Sequence, residues 1–167
     1  VTLPGAGISC FACSEANMEY MCKLIGIQAI SFDKMNQLRH VKFLQNKEHT
    51  LALMKEHAKI LKPKFDMVVS TLEREIAPLG IATWHKPKGG YFVSVNTAPG
   101  LAKRTLALCK EAGVVMTSAG ATYPYGHDPA DSNIRVAPSL PPDEELEQAM
   151  AVFCCCLKLA ALEKSKK

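Results

Sequence analysis

At Pro78 and Gly80 the period of the apolar residues changes, and that change limits the folds open to the chain. Before it the period is helical. From Lys47 to Ile76 the apolar positions Leu51, Met54, Ala58 and Leu61 form one stripe, continued by Phe65, Val68, Val69 and Leu72. Pro63 interrupts, so a kink or two consecutive helices are expected. After Pro78 and Gly80 the residues alternate: IATWHK and YFVSV read as two strands around the turn KPKGG, a hairpin, with Trp84 in its small core. GLAKRTLALCKEAG follows as an amphipathic helix with Leu101, Leu106 and Ala107 inward and Gly113 at its end. VVMTSAG reads as a strand, ATYPYGHDPAD as a loop, and SNIRVAP as another strand. Pro141 and Pro142 before DEELEQ start a last helix, with acids at the positive end of its dipole and Leu146, Met150, Phe153 and Leu157 as its buried stripe.

The lead is also helical. Ser14 can cap EANMEYMCKLIG, whose Met18, Met21, Cys22 and Ile25 share a face and which Gly26 closes; Asp33 stands near the start of DKMNQLRHVKFL. Residues 1–9 read as a β-segment and turn, with Gly5 and Gly7 giving backbone freedom. The expected fold class is α/β: a helical lead, then a three-layer-like small sheet of mixed strands covered by helices. Three regions are expected, 1–45, 46–80 and 81–167.

Several function classes are disfavoured. The net charge of +4 is mild and the basic residues are scattered apart from the EKSKK tail, so no nucleic-acid face is expected. No run approaches the roughly 18 apolar residues of a membrane span. Seven cysteines, three of them adjacent at Cys154, Cys155 and Cys156, suit a reduced, cytoplasmic protein. Cys10 and Cys13 form a C-x-x-C without the second ligand pair that structural zinc requires, so no metal is expected.

One residue resists a purely structural account. Ile134 and Val136 describe a buried strand, yet Arg135 stands between them. Such an arginine can reach solvent at a sheet edge or join a core ion pair. It can also serve as a carboxylate anchor, because a guanidinium presents its donors in a planar fork that matches a carboxylate. Asn133, two residues earlier, points the same way on a strand and can orient the same ligand.

Three segments carry a resemblance, in matching order and spacing. KPKGGYFVSV resembles the P-x-G-G-aromatic hairpin of fold-type-I pyridoxal-phosphate aminotransferases. CKEAGVVMTSAGATYPYG resembles the helix, strand and G-x-x-aromatic loop of their C-terminal domain, and DSNIRVAPSLPPDEELEQAM its arginine strand and final helix. VTLPGAGISCF, SEANM and DKMNQLRHVKF are similar to a bacterial aspartate aminotransferase-like branch. The resemblance implies that residues 1–45 close the large cofactor-binding domain, 46–80 form a long interdomain helix region, and 81–167 form the small domain. It places the Schiff-base lysine immediately before Val1, so that no catalytic residue is expected in this chain and the chain alone is expected to be inactive and to bind no cofactor. For the full-length protein it implies pyridoxal 5'-phosphate, an amino acid (aspartate- or alanine-like) and a 2-oxo acid as substrates, and a homodimer.

By the same resemblance Arg135 holds the substrate α-carboxylate. Gly7 and Ser9 fall where relatives contact the cofactor phosphate, often through an arginine that is absent here; an ordinary tight turn is the other reading. Arg39, with His40, either belongs to a solvated helix end or lies near the shared active site. Tyr123 and Tyr125 either pack over the substrate entrance or cap the small core. A separate reading keeps the same fold as a ligand-sensing domain of a transcription regulator.

Overall fold

The computed structural model describes residues 5–166, which divide into two compact units, one up to Glu56 and one from His57 onward. In the first, helix α1 (Glu15–Gln28) starts after Ser14, whose backbone is extended but whose hydroxyl makes no capping bond. α1 runs through Gly26 rather than stopping there, because Gly26 keeps a helical backbone and the chain turns extended only at Ala29. Met18, Met21 and Ile25 are its half-buried line, while Cys22 is exposed and no residue of α1 is fully buried. Helix α2 (Lys34–Leu44) is capped as expected: the Asp33 carboxylate accepts from the Asn36 N–H at 2.9 Å.

Helix α3 (Lys47–Glu75) is continuous through Pro63, where a kink or break was expected. Pro63 is solvent-exposed, so the hydrogen bond that its ring forfeits lies on a side open to water. Of its two expected stripes, Leu51, Met54 and Ala58 are exposed, whereas Val68 and Leu72 are fully buried.

The unit from His57 onward carries the core. A short 3₁₀ turn (Ala77–Leu79) leads into β1 (Ala82–Trp84), β2 (Val93–Thr97), α4 (Ala102–Glu111), β3 (Asn133–Val136) and α5 (Asp143–Ser165). The strands lie in the order β1-β2-β3, antiparallel throughout, with Ser94 opposite Arg135 and Asn96 opposite Asn133. The helix-bearing small sheet agrees with the expected class, but its strands are not mixed. The segment expected to add a further strand, 114–120, forms no ladder. Gly113, at φ 87°, ends α4 with the Val114 N–H bonded to the Cys109 carbonyl, and Val115 then projects into solvent.

Alternation makes the two sheet faces different. Val93, Val95, Ile134 and Val136 point into one core with Val68, Leu72 and Ile76 of α3, and with the buried faces of α4 and α5. Leu146, Met150, Phe153 and Leu157 are buried as expected; in α4 Leu108 and Cys109 face inward and Ala107 does not. Each large apolar side chain taken out of water this way contributes about 1.5–3 kcal/mol. Ser94, Asn96, Asn133 and Arg135 occupy the opposite face. Among the described residues no helix is long and apolar enough to cross a membrane.

Candidate functional site: an arginine on the polar face of the sheet

The loop before β3 is built to deliver that strand. The Asp128 carboxylate accepts from the backbone N–H groups of Ala130, Ser132 and Asn133 at 3.0, 2.8 and 2.8 Å. These bonds, from Asn133 and Ser132 above all, hold its carboxyl below the usual carboxylate range. Asp131 fastens the loop to the start of α4: its carboxylate accepts from the Lys103 N–H at 3.0 Å and its carbonyl from the Ala102 N–H at 3.0 Å. Gly120 lets the loop fold back on itself. Its φ is +83°, and a Cβ there would stand 2.2 Å from the Gly126 carbonyl oxygen.

Asn133 shares the face of Arg135, but its amide is engaged within the protein. Nδ2 donates to Ser94 Oγ at 2.9 Å and to Asn96 Oδ1 at 2.7 Å, and Oδ1 accepts from the Thr122 hydroxyl at 2.7 Å. Both amide donors are therefore used, and the side chain ties the loop to β2 and β3 rather than presenting N–H groups outward.

Arg135 is the opposite case. Its Nη2 makes a long 3.4 Å bond to Thr117 Oγ1, and its Nε is buried with no hydrogen-bond partner. Its Cζ lies 4.5 Å from the centroid of the Phe92 ring. No carboxylate among the described residues pairs with it. A cation held half-buried without a counter-ion is costly unless a ligand completes it. Arg135 also lines a cavity of about 750 Å³, walled by Met116, Thr117, Leu140 and Met150 and edged by Glu145. Asn133 adjoins Arg135 along β3, and Thr122 of the loop that carries Tyr123 binds Asn133, but neither Asn133 nor Tyr123 is among the residues lining this cavity. Tyr123 is partly exposed and Tyr125 fully so, and neither belongs to the core. Phe92 and Thr117 were not singled out from the sequence, although Phe92 sits two residues before the partner of Arg135, a spacing that places it on the same face.

The remaining expected site residues lie in the other unit. Arg39 is exposed on α2. Ser9 is exposed, and the Gly7 carbonyl accepts from Asn36 Nδ2 at 3.1 Å. A phosphate needs converging donors, but the buried unpartnered atom beside this turn is an acceptor, Asn36 Oδ1. Nothing in the hydrogen bonds of this turn marks it as a phosphate cradle. Cys10 and Cys13 are exposed free thiols. Burial pushes the thiols of Cys109 and Cys154 up to about 12 and about 11, as expected for packed rather than reactive sulfur.

A sequence model of the family described as aspartate amino-transferase matches residues 1–167. An aspartate aminotransferase of Corynebacterium glutamicum is 45% identical over 163 residues, 98% of this chain and 38% of that protein. The crystal structure of an aspartate transaminase from the same organism superposes with a TM-score of 0.81 at 44% identity, over 90% of this chain and 36% of the other. LysN, the α-aminoadipate aminotransferase of Thermus thermophilus, shares the fold at 17% identity, with a TM-score of 0.69 over 89% of this chain and 37% of the other. The chain thus spans about two fifths of the length of these relatives, and the transcription-regulator reading finds no support among them.

Proposed function

The chain belongs to the aspartate amino-transferase family, and on that premise we propose that it is the carboxylate-anchoring C-terminal part of an enzyme that transfers an amino group between an amino acid and a 2-oxo acid. The donor is aspartate- or alanine-like, and the whole protein works as a cytoplasmic homodimer. In this reading residues 1–45 end a large cofactor-binding domain, 46–80 form the interdomain helix region and 81–167 are the small domain. Pyridoxal 5'-phosphate would be held chiefly by other parts of the family fold, of whose length this chain spans about two fifths. The chain alone is accordingly expected to show no transaminase activity.

The observation that carries the proposal is Arg135 itself: half-buried, without an acid partner among the described residues, and with an unpartnered Nε. Both substrates of such a transfer carry a carboxylate next to the reacting carbon. A planar guanidinium grips that group through two parallel N–H···O bonds and so fixes the orientation of the adjacent bonds. In this arrangement Asn133 positions the anchor's strand, Arg135 binds, and the Tyr123 loop borders the approach. The test is kinetic, in the protein that joins this chain to the rest of the family fold. Arg135→Gln should lower kcat/KM for both the amino acid and the 2-oxo acid by about 100-fold or more, the scale of a lost charged pair. Arg135→Lys, which keeps the charge and loses the fork, should fall between. Values for Arg135→Gln within threefold of the parent for both substrates would remove the proposal's support.

A further inference from the structure

Arginines that bind ligands are commonly held in place by a carboxylate, which orients the guanidinium at the expense of part of its charge. Arg135 has no such partner among the described residues. What fixes its head group is instead a ring: Phe92, 4.5 Å from Cζ. The sheet explains the encounter. Ser94 pairs with Arg135, and Phe92 precedes Ser94 by two residues, so both side chains leave the same face as diagonal neighbours. Phe92 is 43% exposed, which is more than a core role requires.

We infer that Phe92 is a positioning residue that sets the guanidinium plane of Arg135 for in-plane capture of a carboxylate. The inference rests on the carboxylate-anchor reading of Arg135. A ring suits the task for three reasons. The attraction between its π-face and a cation restricts the long arginine side chain, lowering the ordering cost that a ligand would otherwise meet. It uses none of the N–H donors, leaving Nε without a partner and Nη2 with only its long bond to Thr117. It also covers one face of the cation, so an anion enters along the edge, where two donors point at it together. Thr117, at 3.4 Å from Nη2, adds only a long contact.

Nitrogen-15 NMR of the protein that joins this chain to the rest of the family fold tests this, with succinate as the probe. The parent Arg135 Nε–H signal should be displaced by the ring current of Phe92 and should shift on addition of succinate. Phe92→Leu should abolish the displacement and weaken succinate binding by about threefold to tenfold. Phe92→Tyr, which retains the π-face, should preserve the displacement and bind within twofold of the parent. A Phe92→Leu chain that leaves the Nε–H signal or the succinate affinity unchanged overturns the positioning role while leaving the anchor intact. If succinate does not move the Arg135 signal in the parent, the carboxylate-anchor reading falls, and this inference with it.

Discussion

At Asp128 three backbone N–H groups converge on one carboxylate, and the loop that precedes β3 closes around it. Because those bonds favour the charged form, folding lowers the carboxyl's pKa. A lowered carboxyl contributes stability above its unfolded value, near 3.9, and loses that contribution as pH falls through the folded value. Thermal melts of Asp128→Asn should therefore give a lower Tm than the parent at pH 7, with the gap narrowing as pH drops below about 4. An equal gap at pH 7 and pH 2.5 would show that charge is not what Asp128 contributes. This residue was not legible in the sequence. ATYPYGHDPAD announces a loop by composition, but which of its two acids faces inward depends on where the N–H groups of 130–133 come to lie. Arg135 was legible because a cation between two buried apolar residues conflicts with its surroundings. Phe92 was not, because an aromatic residue beside a strand has an ordinary explanation in packing.

Among the elements, α5 was the most legible. Its prolines, acidic first turn and fourfold apolar stripe all agree, and the helix runs from Asp143 to Ser165. In α4 the apolar spacing places Ala107 inward, whereas the buried line runs through Thr105, Leu108 and Cys109, since a small alanine at an edge says little about which way a helix faces. The segment 114–118 has strand-like residues but makes no ladder, and residue preference cannot supply a partner. The stripe of α5 yields a comparison within one helix. Phe153 is wholly buried, and Phe153→Ala should cost about 3–5 kcal/mol in chemical denaturation through lost burial and the cavity left behind. Leu162 on the same helix is 58% exposed, and Leu162→Ala should stay within about 0.5 kcal/mol of the parent. Similar losses from the two would mean that α5 does not hold the core along this stripe.

Across the whole chain the apolar burial is unevenly placed. α1 has no buried residue and α2 has one, Asn36, whereas α5 alone has seven. Composition could not foretell this, because 48% hydrophobic residues is an average over both units. Hydrogen exchange should report the difference: amides of α1 are expected to exchange at least about 100-fold faster than those around Phe153 in α5. Equal protection would mean that the first unit draws its stability from something other than buried side chains. The two-sided sheet has a further consequence. Along β3, even-numbered positions face the core and odd-numbered ones carry the tie to the loop and the proposed carboxylate anchor, so two tasks are interleaved in one four-residue word. A one-residue insertion ahead of Asn133 would change the parity of the whole word at once, turning the cation toward oil and the aliphatics toward water.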